Sequence, residues 1–271
     1  MATRGILLCA DDYGIAPGVG RAIRDLVELG RLSAVSCMTA WPDFPAEGRL
    51  LEPLADRVDL GLHLGLTAER SLARVTVEAY LGGLDSTAVA TALQAQLDAF
   101  AAIFGRPPDF IDGHQHVHLL PGVREQVAEA ASRLGAYLRL TDEPLAAIAR
   151  TRVAPAKAVF LSLMGRPLAR QARRRAIRCN RGFRGARSFA EPGPFRELFR
   201  RMIAGAAPGT LVMCHPGLVD AALESRDSLT RAREEEYRYF AGSEFPADLA
   251  AAQLHLVRFR DFARADSLGT A

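Results

Sequence analysis

The sequence predicts an α/β fold, a (β/α) barrel-like domain with mostly parallel strands; a doubly wound open sheet is the alternative architecture. Short apolar runs alternate with longer amphipathic ones along the chain, and strands separated by helices imply right-handed βαβ crossovers and a parallel sheet. The length, 271 residues, is close to the ~250 typical of an eight-unit barrel. Hydrophobic residues make up 49% and charged residues 24%, which suits a large buried core and excludes disordered or collagenous classes.

Residues 5–10 (GILLCA) are the first strand candidate. A helix is predicted over 18–29. Val19, Ile23, Leu26 and Val27 share one face, Arg21, Arg24, Asp25 and Glu28 the other, Pro17 suits the first turn and Gly30 the C-terminal cap. Residues 33–39 (SAVSCMT) and 59–66 (DLGLHLGL) read as the second and third strands. Helical periodicity returns over 89–104 until Gly105-Arg106-Pro107-Pro108 breaks it. A fourth strand is expected over 110–114, a helix over 122–134 and a fifth strand over 136–140 (AYLRL). Residues 210–214 (TLVMC) form a late strand, and 255–257 a short final one before 258–263. Seven or eight such units suggest a barrel, irregular in places, over a single domain 1–271. The one compositional shift is 164–187, with nine arginines from Arg166 to Arg187, expected as an Arg-rich insertion near the barrel mouth. It reads either as a solvated helix face or as an anion- or partner-binding patch.

Charge narrows the partners. Lys+Arg 34 against Asp+Glu 31 leaves +3, too even a balance to indicate nucleic acid. Lys157 is the only lysine, which excludes mechanisms needing several. The four cysteines, Cys9, Cys37, Cys179 and Cys214, show no CxxC spacing, so reduced thiols and a cytoplasmic location are expected. Residues 1–4 lead straight into 5–10 and then two aspartates, too short an apolar stretch for a signal peptide. No transmembrane segment is expected, because no run of about 18 apolar residues exists.

The chemistry-bearing residues gather at strand ends. Asp11 and Asp12, in Ala10-Asp11-Asp12-Tyr13-Gly14, follow a strand directly, where barrel and open-sheet sites are built. A turn there brings both to one mouth, so that one can bind a metal while the other accepts a proton; the same pair also suits an Asx-turn or N-cap. His63 is a single polar ring in the apolar strand GLHLGLT, between glycines that permit close backbone approach. It reads as a ligand or as a hydrogen-bonded core residue. His114, His116 and His118 fall at alternate positions of DGHQHVH and point the same way if that segment is extended. Such a cluster of imidazoles indicates metal or catalytic use. A catalytic metal needs only about three protein ligands, so some of these rings orient ligands or touch substrate. His215, in Met213-Cys214-His215-Pro216-Gly217, is another ring at a strand end, whereas His255 between two leucines reads as structural. Arg139, a charge inside an apolar strand, should meet a carboxylate if buried, with the site's aspartates as partners, or face water at an edge.

Together these motifs resemble the YdjC-like carbohydrate deacetylases, the family of chitooligosaccharide deacetylases and hopanoid-associated sugar deacetylases. ADDYG at 10–14, GLHLGLT at 61–67, DGHQHVH at 112–118 and MCHPG at 213–217 carry the resemblance in family order; LRL around Arg139 and RGFRG at 181–185 match more weakly. The resemblance implies that Asp12, His63 and His114 ligate one divalent metal, with Asp11 as catalytic base and His215 as general acid or oxyanion partner. His116, His118, Arg139 and Phe183 are then substrate-binding or supporting residues, and N-acetylated amino sugars the substrates, losing acetate. The chemistry agrees: amide hydrolysis needs an activated water and a polarised carbonyl, which a bound metal supplies, and a proton acceptor and donor beside it. Ligand softness favours Zn2+, whereas the family is associated with Mg2+, so both stand. Trp41, Phe44, Tyr80 and Phe183 are sugar-stacking candidates or packing aromatics, and the RGFRG match suggests that 164–187 covers the mouth. A homodimer is implied by resemblance only. A phosphoesterase or amidohydrolase is the competing reading, with Asp112 and Asp220 as added ligands of a two-metal site. A non-catalytic sugar-binding protein is the third.

Overall fold

The run at 5–10 becomes the middle of a central strand, β1 (Arg4–Tyr13), buried along nearly all its length. A strand covered on both faces has no solvent side, which is why it shows no polar alternation. The structure, a computed structural model, describes residues 3–67, 70–189 and 193–261. β2 (Ala34–Cys37), β3 (Asp59–Leu64), β4 (Phe110–Gly113) and β5 (Tyr137–Leu138) extend the sheet on one side of β1. β7 (Thr210–Cys214) and β6 (Gly182–Arg184) extend it on the other, in the order β5-β4-β3-β2-β1-β7-β6, every pairing parallel. The two edges meet through a parallel bridge between Leu138 and Cys179, and the Asn180 side chain bonds both the Leu140 N–H and its carbonyl. The sheet thus curls into the barrel that the sequence predicts.

The helices in chain order are α1 (Pro17–Glu28), α2 (Phe44–Leu51), α3 (Leu72–Leu81), α4 (Ser86–Phe104), α5 (Val123–Leu134), α6 (Leu145–Thr151), α7 (Pro155–Arg174), α8 (Phe195–Ile203), α9 (Ala221–Arg226), α10 (Arg231–Ala241) and α11 (Glu244–Ala251). Among the described residues α4 is long and apolar enough to cross a membrane by length and composition, 19 residues at mean hydropathy 1.3, where none was expected. In the fold it lies on α2, α5 and β3, with Val89, Leu93, Leu97 and Phe100 inward, and its Gln96 bonds the backbone of Gly65 through both amide atoms (2.9 Å each).

The final strand, β8 (Leu254–Leu256), pairs with the start of β1 and leads to Phe259, which stacks on Tyr137 at 3.6 Å. The Phe259 N–H donates to Asp59, as does the Tyr137 hydroxyl. Since Asp59 begins β3, this apolar plug closes the amino end of the barrel and leaves the carboxyl end open for a site.

Two expectations change here. The segment 164–187 is not an insertion. It supplies the second half of α7 and all of β6, a regular helix-to-strand unit whose charge hid its periodicity. The fifth strand shortens to two residues: the Arg139 N–H still donates to the Ile111 carbonyl of β4 at 3.3 Å, but Leu140 turns to the Asn180 side chain.

Candidate active site and metal centre

Parallel strands bring their carboxyl ends to one mouth, and the sequence motifs meet there. The pairing of β1 with β2 is irregular between Ala10 and Tyr13, and Asp12 adopts a left-handed backbone (φ 67°). Successive strand residues would point to opposite faces; this bulge, within the strand rather than in a turn after it, instead gives Asp11 and Asp12 a shared mouth with separate partners.

Asp12 Oδ1 lies 2.9 Å from His114 Nδ1 and 3.3 Å from His63 Nε2, while its Oδ2 accepts from Arg233 at 2.6 Å. The β3–β4 register sets His63 opposite Asp112, whose Oδ1 accepts from His63 Nδ1 at 2.6 Å. The Ser36 hydroxyl donates to the same oxygen, also at 2.6 Å. That bond puts a proton on His63 Nδ1 and aims Nε2 at Asp12. Close approach is needed here: a Cβ on Gly61 would overlap the Phe110 ring.

The three donor atoms of Asp12, His63 and His114 lie within 4.8 Å of one another, and two imidazoles with one carboxylate suit a divalent transition ion. Electrostatics agrees. Burial disfavours the His63 imidazolium, yet Asp112 and Asp11 push its pKa up to about 10. Burial likewise opposes the Asp12 carboxylate, but Arg233 and His114 hold it well below the usual range. The centre therefore draws positive charge.

Asp11 is held by Arg139 through two bonds of 2.6 Å. Arg139 is buried, as a paired guanidinium can be, and also meets Asp112 at 2.6 Å and the Cys9 sulfur at 3.0 Å. Cys9, Asp11 and Asp112 form a second group of possible donors, but this guanidinium already binds all three. Asp112 is thus committed to His63 and Arg139, and Asp220 caps α9 and bonds Gly18 N–H (2.6 Å). The two carboxylates that a two-metal site would need are elsewhere engaged.

The three histidines of DGHQHVH do not point one way. β4 ends at Gly113, and His114–Leu119 turns, with Gln115 and His116 in the left-handed region. His114 reaches the centre. His116 lines the cavity and meets the Phe183 ring edge-on at 5.8 Å; burial, with the Arg139 charge nearby, pushes its pKa well below the usual imidazole value. His118 is buried, donates Nε2–H to the Arg139 carbonyl at 3.2 Å, and has its pKa pushed down to about 4 by desolvation.

His215 follows β7 and lines the same cavity of about 440 Å³ as Asp11, Asp12, His63 and His114. Its backbone N–H donates to Glu236 at 2.6 Å, and its ring meets Phe189 edge-on at 5.7 Å. Burial lowers its pKa, against the pull of Asp12, Asp11 and Glu236.

The mouth is not covered by 164–187. Lys157, Phe160 and Leu161 from the start of α7, with Phe189, supply that wall. In the arginine-rich stretch, Arg184 pairs with Glu143 and Arg187 with Glu236. Trp41 stands beside Arg226, Phe44 is core and Tyr80 is exposed on α3; none of the three lines this cavity. His255 is exposed on β8.

Sequence reasoning missed Arg233, Glu236 and Asp227. Arg233 bonds Asp12 and Asp227, each at 2.6 Å. The one signal was spacing: Arg233 and Glu236 share the inward face of α10 with Tyr239 and Phe240, a charged pair where the period demands apolar side chains.

The sequence matches the profile of the YdjC-like protein family over residues 5–251. Chitooligosaccharide deacetylases of Yersinia pestis (strain Pestoides F) and Yersinia pseudotuberculosis (serotype O:1b) are each 27% identical over 232 residues, 80% of this chain and 83% of theirs. Among solved structures, a protein of Enterococcus faecalis V583 provisionally described as a cellobiose-phosphate cleavage protein superposes with TM-score 0.72 at 16% identity, covering 96% of this chain and 99% of that one. A family 4 acetyl xylan esterase from Clostridium thermocellum, with a cobalt ion, gives 0.54 at 8% identity, covering 97% and 91%. These two likenesses concern the fold; the profile match spans nearly the whole sequence, and the chain belongs to the YdjC-like protein family.

Proposed function

We propose that the protein is a metal-dependent N-deacetylase that removes acetate from an N-acetylated amino sugar. The observation that carries this reading is the arrangement in one cavity of three clustered donors, Asp12, His63 and His114, with the Arg139-clamped carboxylate of Asp11 and the ring of His215. The relatives named chitooligosaccharide deacetylases support the choice of an amino-sugar substrate.

Asp12, His63 and His114 would hold the ion. A bound divalent ion brings the pKa of its water toward ~7 and polarises an acyl oxygen. The remaining work falls to the chain. Asp11 accepts the water's proton, and the two bonds from Arg139 fix the carboxylate for that transfer. His215, set by the Glu236 bond to its backbone and by Phe189 against its ring, delivers a proton to the departing amine. Arg233 occupies Asp12 Oδ2 and so leaves Oδ1 turned toward the two imidazoles. Two imidazoles and a carboxylate favour Zn2+ over Mg2+ on ligand softness.

The test is acetate release from N-acetylglucosamine oligomers, with and without chelator and with Zn2+ or Mg2+ restored. Asp11→Asn is expected to retain metal while turnover falls about 10²–10⁴-fold, the usual worth of a general base; His114→Ala is expected to lose metal. A wild type inactive on every acetylated sugar but active on phosphate esters refutes the reading, and metal retained by His114→Ala refutes the ligand set.

A further inference from the structure

We propose that the outer face of α7 docks the protein on an anionic lipid bilayer. Between Glu143 and Glu191 the chain has twelve basic residues and no acidic one, although the whole molecule carries only +3. Positive charge is therefore concentrated here and the remainder is net negative, an asymmetry that marks a surface for a polyanionic partner. Arg184 and Arg187 are neutralised inside the fold by Glu143 and Glu236. Arg166, Arg170, Arg173, Arg174 and Arg175 are exposed, and among the described residues none has a carboxylate partner.

Spacing gives this charge a direction. Arg166, Arg170, Arg173 and Arg174 recur every three to four residues along one side of α7. Toward the helix's N-terminus the outward residues turn apolar: Phe160 is 59% exposed and Leu163 49%, and Leu145 on the adjoining α6 is 62% exposed. Large apolar groups in water beside a run of unpaired arginines are the pattern of an interfacial helix, whose apolar side chains enter the headgroup boundary while the arginines meet phosphates. A nucleic acid would satisfy the arginines but leave the three apolar side chains wet, so the bilayer accounts for more of the face.

Position adds to this. Lys157, Phe160 and Leu161 of the same helix line the catalytic cavity, so docking along α7 sets the cavity mouth beside the membrane surface. Bilayer binding does not depend on the deacetylase reading, and the two fail in different assays.

The experiment is co-sedimentation of the full chain with vesicles of phosphatidylcholine, with and without phosphatidylglycerol, at physiological and high salt. The wild type is expected to pellet with the anionic vesicles. The triple variant Arg170→Gln, Arg173→Gln, Arg174→Gln, checked by thermal melting, is expected to partition about a hundredfold more weakly, from roughly fivefold per arginine near an anionic surface. Its turnover of a soluble acetylated sugar should be unchanged. Phe160→Ser with Leu163→Ser should weaken binding at high salt too, where the arginine contribution is screened. A wild type that stays in the supernatant, or an arginine variant that pellets as the wild type does, overturns the proposal. So does a labelled DNA duplex that binds more tightly than the vesicles and loses affinity in the same variant.

Discussion

Replacing Asp112 with asparagine tests whether one buried carboxylate couples the proposed metal ligands to the proposed catalytic base. Asp112 Oδ1 accepts from His63 and from Ser36, each at 2.6 Å, and Oδ2 meets Arg139 at 2.6 Å. An amide in its place keeps the shape but removes the charge facing two cationic or polarised partners. His63 then loses the acceptor that sets its tautomer, and losses of about 10–100-fold in metal affinity follow from such changes. Stability falls as well: a hydrogen bond to a charged group contributes about 1.5–3 kcal/mol. The full penalty for an unpaired buried charge, about 3–5 kcal/mol, is not reached because Arg139 keeps both bonds to Asp11. Ser36→Ala is the control, since it removes one donor to the same oxygen at a cost of about 1 kcal/mol. Competitive titration of Zn2+ against a chelator gives the affinity, and denaturant unfolding the stability. Wild-type metal affinity in Asp112→Asn, in a protein that remains folded, would refute the coupling.

Three further outcomes follow from the same contacts. Arg233→Met leaves the carboxylates of Asp12 and Asp227 without their shared guanidinium, one of them buried; unfolding free energy should fall by about 3 kcal/mol or more, and an unchanged denaturation midpoint would contradict the pairing. Phe259→Ala empties the plug stacked on Tyr137 and should cost about 3–5 kcal/mol, with turnover per folded molecule preserved at room temperature; a loss of kcat before any loss of fold would assign Phe259 a different role. Metal added at a hundredfold over its Kd should stabilise the chelator-stripped protein by about 2.7 kcal/mol, seen as a melting shift of roughly 5–10 °C, and no shift with any divalent ion would count against the centre.

The barrel was legible because apolar strand runs and helical periods are local in sequence, and because a parallel sheet delivers every strand's carboxyl end to one side. Asp11, Asp12, His63, His114 and His215 were found that way. The helix α7 was not: arginines on its outer face obscured the inner stripe of Leu161, Gly165, Leu168 and Ala172, so a regular barrel unit looked like an insertion. The histidine motif misled differently. Alternation assumes extended backbone, and the left-handed Gln115 and His116 break that assumption.

The sequence by itself determined the fold class, the motif order and which residue types reach the mouth, since each depends on neighbours along the chain. Only the tertiary structure decided which imidazoles face Asp12, that Arg139 clamps Asp11, and that Arg233, 221 residues away, holds the other oxygen of Asp12. Those choices are ion pairs and hydrogen bonds across long loops of chain. Their energy depends on distance and burial in space, and no local period of the sequence records either.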